Sequence, residues 1–225
     1  MVITEIFKSI QGEGTRAGLP CIFVRLTGCN LRCVWCDTEY AFHGGAKYTL
    51  DEVLAQVHSL AGEGELRVPL VEITGGEPLL QKETPELAGK LLADRYVVMI
   101  ETSGERFVGV LPREVIKIVD VKCPDSGEGG TFDMANLESV DRKDEIKFVI
   151  ASRRDYDFAR DFIAQHRLAD RVHQVIFSPA FPDPSGRWPG LESRQLAEWI
   201  LSDGLPVRLG LQLHKFIWDP AMKGV

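Results

Sequence analysis

Seven short apolar or alternating stretches punctuate the 225-residue chain, and segments of helical periodicity fill most of the intervals between them. The stretches that read as strands are Cys21–Thr27, Pro69–Thr74, Tyr96–Thr102, Val115–Lys122, Glu145–Ile150, Val172–Ser178 and Val207–His214. Thr49 and Glu52 form a capping-box signal ahead of "LAQVHSL", and Thr84 before Pro85 predicts a cap and first-turn proline for "ELAGKLLAD". Residues 153–166 and 191–202 carry further amphipathic patterns. Strand, helix, strand demands parallel pairing through right-handed crossovers, which leaves a βα barrel or an open doubly wound sheet. Six or seven units fall short of a complete eight-unit barrel.

The alternation within the strands favours the barrel. In "CIFVRLT" a period of two sets Phe23, Arg25 and Thr27 against Ile22, Val24 and Leu26. The same division recurs with Glu72 and Thr74, Glu101, Asp120 and Lys122, Lys147, and Gln212 with His214, each opposed by apolar neighbours. Parallel sheets are covered on both faces, so these polar side chains are predicted to point into an enclosed space, where charges need partners. The expectation is an α/β fold: a partial, incomplete βα barrel of the TIM type with about six parallel strands and a polar lumen. No low-complexity segment or linker suggests a boundary, so residues 1–225 are expected to form a single domain.

A net charge of −7 argues against a general nucleic-acid or anionic-membrane binder. No apolar run approaches the roughly 18 to 20 residues that span a bilayer, and "MVITEIFKSIQGEGTR" lacks the shape of a signal peptide. A cytoplasmic protein that handles small molecules or protein partners is expected.

Five cysteines are an odd number, so metal binding or catalysis is a better use for them than a disulfide framework. Cys29, Cys33 and Cys36 stand at C-x3-C-x2-C directly after the first predicted strand. Thiolates suit zinc, copper(I) or iron–sulfur centres. A structural zinc site wants four closed ligands, and His43 or Asp37 would complete one awkwardly. Three thiolates on a cubane leave one iron open to a small molecule, and the spacing favours that reading over zinc. Cys21 reads as a small buried hydrophobe, and Cys123 receives no role.

The cysteine loop, with Trp35 before its last thiol, resembles that of the radical S-adenosylmethionine (SAM) superfamily, and "TGGEP" at Thr74–Pro78 resembles that superfamily's second hallmark. Within it the chain is similar to the 7-carboxy-7-deazaguanine synthases. "SIQGEGTRAGLPCIFVRLTGCNLRCVWCDTEYAF", "ITGGEPLLQ", "ETSG", "DVKCPDSG", "DEIKFVI", "FSP" and "LQLHK" occur in that family's order across nearly the whole chain. The resemblance implies one radical SAM domain that converts 6-carboxy-5,6,7,8-tetrahydropterin to 7-carboxy-7-deazaguanine with loss of ammonia, on the route to queuosine-type 7-deazapurines. It implies a [4Fe–4S] cluster, SAM and Mg2+. It also implies a reductant such as flavodoxin or ferredoxin, and a homodimer, with no nucleic acid or membrane partner.

Carried onto this sequence, the resemblance puts the cluster on Cys29, Cys33 and Cys36, and Mg2+ on Thr38. SAM would meet Trp35, Asp37, Gly75, Gly76, Glu77, Lys122, Ser178, Pro179 and Ala180. The pterin would meet Ile10, Gln11, Gly12, Arg25, Thr74, Glu101, Gln212 and His214, with Arg25 on its carboxylate through a bidentate guanidinium contact. No side chain is assigned a catalytic role beyond the radical that the cofactor supplies.

Blander readings stand beside these. Arg25 could form an internal Arg–Glu bridge, the Gly-Gly pair could be an ordinary βα turn, Thr38 could cap the loop, and Trp35 could be a packing aromatic. The whole chain could instead be an activase that makes a glycyl radical on a protein partner, or a zinc-binding interaction module. An activase leaves Arg25, Glu101 and "LQLHK" unexplained, and a zinc module needs neither the glycines nor a polar lumen.

Overall fold

The computed structural model describes residues 1–183 and 185–225. Its strands are β1 (Val2–Ile10), β2 (Pro20–Leu26), β3 (Ala46–Lys47), β4 (Leu70–Gly75), β5 (Val97–Thr102), β6 (Ile116–Asp120), β7 (Glu145–Ile150), β8 (Gln174–Pro179) and β9 (Arg208–Leu209). The helices are α1 (Leu50–Ala61), α2 (Thr84–Ala93), α3 (Arg153–His166), α4 (Ser193–Asp203) and the single turn α5 (His214–Ile217). They build one sheet in the order β3-β1-β2-β4-β5-β6-β7-β8-β9, parallel from β2 to β9, with β1 antiparallel to β2 and β3. This is the expected partial barrel, with six full-length parallel strands and the two-residue β9. Among the described residues no helix is long and apolar enough to cross a membrane.

The alternation sorts the two faces. Ile22, Val24, Leu26, Val71, Ile73, Val98, Ile100, Val119, Ile146, Phe148 and Phe177 point outward into one continuous apolar core beneath the helices. Inside, a lower layer of Cys21, Phe23, Leu70, Met99, Ile116 and Ile118 plugs the barrel. The next inward residues toward the C-terminal strand ends are Arg25, Glu72 and Thr74, Glu101, Asp120 and Lys147. Strands β2, β4, β5 and β6 therefore each carry an apolar residue for the plug and a polar one for the site above it, at the end where a βα barrel places its chemistry.

Three local expectations change. The capping box at Thr49 and Glu52 is present, and α3 spans the expected 153–166. Thr84, however, is the first residue of α2 and not its cap; its buried hydroxyl donates to the Pro78 carbonyl at 2.7 Å. The predicted strand Val207–His214 shrinks to β9, because Gly210 turns the chain and His214 opens α5. Thr27 lies past the end of β2 and meets Thr4 hydroxyl to hydroxyl, outside the lumen.

Strand β1 is the addition. Its pairing is irregular between Ile3 and Glu5, the mark of a bulge. That extra residue lets Ile3, opposite Leu26, join the outer core while Glu5, opposite Arg25, faces inward. Below them the Phe7 and Phe23 rings stack at 5.0 Å.

Candidate active site

A cavity of about 810 Å3 opens at the C-terminal ends of the strands, and all three cysteines of the loop after β2 line it. Cys29, Cys33 and Cys36 are free and half-buried. The loop is fixed from outside: the Val34 N–H donates to the Ser126 carbonyl at 2.9 Å, and the Arg32 N–H donates to Glu128. The glycine-rich segment after β6 thus borders the site as the wall behind the cluster loop. Cys123, in the same segment, is buried against the outer core and does not line the cavity.

The Gly-Gly turn after β4 has a task different from clearing space for a ligand alone. A Cβ on Gly76 would lie 2.4 Å from the Gly28 carbonyl oxygen and 2.6 Å from the Cys29 Cβ, and one on Gly75, at φ +152°, would lie 2.4 Å from the Leu26 oxygen. The pair lets the turn and the cluster loop touch backbone to backbone. The Glu77 N–H then donates to the Gly28 carbonyl at 2.9 Å. The Glu77 carboxylate is engaged inside the protein. It is fully buried and accepts from Leu79 N–H, Thr102 Oγ1, Ser103 N–H and Ser103 Oγ at 2.7–2.9 Å. It ties β4 to the end of β5 and does not line the cavity, and neither does the buried Ala180. Every other residue expected at the site does.

Burial pushes all three cluster thiols up, Cys36 to about 11, with Lys122 opposing the rise at each. They rest as thiols, and iron must displace their protons to bind. Among the described residues no three Cys, His, Asp or Glu side chains gather round a point for one metal ion. A cubane does not ask for such a point, since each thiolate takes its own iron. Beside them the buried Asp120 Oδ1 has no hydrogen-bond partner, while its Oδ2 accepts from Lys122 Nζ at 2.7 Å. Burial would lower the Lys122 pKa, but Asp120 outweighs it and holds the ammonium charged. A free carboxylate oxygen awaiting a donor, next to thiols awaiting iron, fits a cluster with an amine- and hydroxyl-bearing cofactor.

On β2 Arg25 Nε donates to Glu5 Oε1 at 2.7 Å, and the Tyr40 hydroxyl donates to the same oxygen at 2.8 Å. The internal bridge is therefore real, but it uses only Nε. Among the described residues the two terminal nitrogens of Arg25 have no hydrogen-bond partner, so the guanidinium reaches the cavity with its outer donors free.

The lumen floor is acidic. Lys147 Nζ donates to Glu13 and, at 2.6 Å, to Glu101 Oε1; Gln11 Nε2 donates to Glu72, while Gln11 Oε1 accepts from the Glu13 N–H at 3.0 Å. Burial would raise Glu13, but Lys147 outweighs it and lowers the pKa, whereas burial wins at Glu101 and raises it. Glu72, buried and facing Glu101 and Glu13, rises well above the carboxylate range. Gln212 donates to Glu13 at 3.0 Å and to Asp37 at 3.1 Å, and Lys215 Nζ to Asp37 at 2.7 Å. Burial pulls His214 below the usual imidazole value in spite of Glu13. Thr38 makes no side-chain cap; its hydroxyl donates to Asp37 at 2.9 Å and lines the cavity.

Glu5, Glu13 and Lys215 were not among the expected site residues. Glu13 was legible in "IQGEG" and Lys215 in "LQLHK", whereas the bulge after Ile3 hides Glu5 from a period of two.

A partial βα barrel with three thiols and a Gly-Gly-Glu turn at its mouth defines a radical SAM enzyme, and the profile of that superfamily matches residues 23–124. The chain is 56% identical to a 7-carboxy-7-deazaguanine synthase of Koribacter versatilis over the full length of both, and 44% identical to one of Chlorobaculum tepidum over 99% of this chain and 96% of that one. It belongs to the 7-carboxy-7-deazaguanine synthase family. The crystal structure of QueE from Escherichia coli shares the fold, with a TM-score of 0.74 at 24% identity over 95% of this chain and 94% of that one. As a radical SAM enzyme the chain uses a [4Fe–4S] cluster and SAM, and it requires a reductant.

Proposed function

We propose that this chain makes 7-carboxy-7-deazaguanine from 6-carboxy-5,6,7,8-tetrahydropterin, contracting the ring with loss of ammonia on the route to queuosine-type 7-deazapurines. The observation that carries the reading is the pairing, in one cavity, of a lumen cation that has free outer donors, Arg25, with an acidic floor. The substrate has the complementary polarity: a carboxylate at one end and amine and amide N–H groups at the other. Reduced cluster and SAM, when bound, supply the radical that takes hydrogen from the substrate.

The chain's own residues bind, orient and exclude water. Arg25 receives the carboxylate, with Glu5 and Tyr40 fixing its angle. Glu101 and Glu13 accept from the amine and amide edge, with Gln212 and the neutral imidazole of His214 beside them. Ile10, Gln11, Gly12 and Thr74 line the same space. The side chain of Gln11 is committed to Glu72 and the Glu13 amide, so it shapes that wall from behind.

On the cofactor side, Cys29, Cys33 and Cys36 hold the cluster, and Trp35, Asp37, Gly75, Gly76, Lys122, Ser178 and Pro179 surround SAM, which leaves Asp120 Oδ1 as an acceptor for it. Thr38, with the Asp37 carboxylate one residue away, offers oxygen to Mg2+, which keeps waters and substrate oxygens for its other positions. The reading includes one domain over residues 1–225, a cytoplasmic setting and electron supply from flavodoxin or ferredoxin. It also includes a homodimer, supported by exposed Leu211, Phe216, Ile217 and Met222 on the C-terminal segment.

The test is anaerobic reconstitution with iron and sulfide, followed by incubation with SAM, reductant, Mg2+ and 6-carboxytetrahydropterin. The expected outcome is 7-carboxy-7-deazaguanine. A loaded enzyme that cleaves SAM but forms none of it overturns the assignment.

A further inference from the structure

The charge balance of the lumen floor is uneven. Glu13 follows β1, Glu72 stands on β4, Glu101 on β5 and Asp120 on β6; Lys147 on β7 is the ammonium that reaches two of them. Lys122 is taken by Asp120, and His214, on α5, faces Glu13 as a neutral ring. Glu145, two residues down β7, turns away to the Thr15 hydroxyl and Arg16. The Lys147 ammonium is itself nearly buried, with a side chain 8% exposed, so substrate does not need to touch it. Its two partners, Glu13 and Glu101, line the cavity, as does the rest of the Lys147 side chain.

Two buried carboxylates facing one another repel, and without a counter-ion at least one takes up a proton. A protonated carboxyl offers one acceptor fewer and adds a donor, which reverses its match to an N–H edge. Glu72 shows the tendency on the same floor: no ammonium is bonded to it, and burial and its acidic neighbours push its pKa up.

We propose that Lys147 is a positioning residue: its ammonium holds Glu13 and Glu101 in one orientation as paired hydrogen-bond acceptors for the amine and amide N–H groups of the pterin. The inference rests on the substrate assignment above. Lys147 thereby sets selectivity for an aminopyrimidinone edge through the two carboxylates it holds.

The test is equilibrium binding of 6-carboxypterin, an unreactive and fluorescent relative of the substrate, to cluster-loaded, SAM-bound protein at pH 6.0 and pH 7.5. Removing the ammonium raises the pKa of the floor carboxylates, so their acceptor form is scarcer at low pH and returns as pH rises. Lys147→Met is expected to bind at least tenfold more weakly than wild type at pH 6.0, with that ratio shrinking at least threefold by pH 7.5. Equal affinity, or a loss of the same size at both pH values, overturns the proposal. Should Lys147→Met fail to fold, Glu101→Gln and Glu101→Gln/Lys147→Met decide it. With the β5 carboxylate gone the second change is expected to add less than threefold; a further tenfold loss overturns the proposal. Wild-type protein that does not bind 6-carboxypterin overturns the substrate assignment and this proposal together, whereas wild-type binding with an unmoved variant overturns this proposal alone.

Discussion

The cluster loop and the lumen floor lie in one cavity, yet they are built in opposite ways. The loop draws its three thiols from eight consecutive residues, Cys29 to Cys36, and takes its shape from backbone contacts with Gly75 and Gly76 on one side and Ser126 on the other. The floor draws Glu13, Glu72, Glu101 and Lys147 from four separate elements and has no backbone pattern in common. A site of the first kind serves a reaction shared by many substrates, because one short segment carries it whole. A site of the second kind can be re-tuned one strand at a time, which suits the part that recognises a particular molecule.

Four substitutions probe that contrast, in decreasing order of effect. Cys33→Ala should abolish the cluster, with SAM cleavage falling at least about a thousandfold while the circular dichroism stays native; iron and acid-labile sulfide assays check it. Full turnover in this variant would detach the loop from the chemistry. Arg25→Ala removes the charged hydrogen bonds to the substrate carboxylate, roughly 1.5–3 kcal/mol, or about ten- to a hundredfold in KM. Iron content should not change, and a fall in iron instead would show that the two regions are not separable. Gly76→Ala forces a methyl group into the Gly28 carbonyl, an overpacking cost of about 1–3 kcal/mol. It should lower iron retention severalfold with little change in KM for the enzyme that does load, as measured by titration of active sites. Thr49→Ala lies in neither region: loss of its capping box should cost about 1 kcal/mol, a Tm shift of roughly 2–4 °C by calorimetry, with unchanged kcat.

The same contrast explains what the residues disclosed before any coordinates. The outward apolar face, the inward polar face and the thiol spacing are periodic or contiguous, so Arg25, Glu101 and Lys147 could be placed on the inner face from alternation alone. The failures fall where partners come from elsewhere in the chain. The partners of the Glu77 carboxylate, the Thr102 and Ser103 hydroxyls, lie 25 and 26 residues on. Arg25 gains Glu5 only through the antiparallel β1, whose alternation is interrupted by the bulge after Ile3. "VRLGLQLH" alternates like a strand, but Gly210 approaches Ile176 and Ser178 closely and the chain leaves the sheet after Leu209. The tail after Trp218 had no legible assignment, and Pro220 to Val225 turn out to line the cavity mouth.

Among the described residues the barrel does not close by strand pairing. Its sheet ends at β3 and β9, and the segment after β9 meets the loop after β1 through a backbone hydrogen bond, Leu213 N–H to Gly12 O at 2.9 Å, and the Gln212 side chain on Glu13, and meets the cluster loop through Lys215 on Asp37. A complete ladder would have to be unzipped rung by rung to admit a bulky guest, whereas this seam can part at the expense of a handful of contacts. Traffic of molecules through the cavity can thus be uncoupled from the integrity of the parallel strands, leaving the outer core closed while the seam behaves like a clasp.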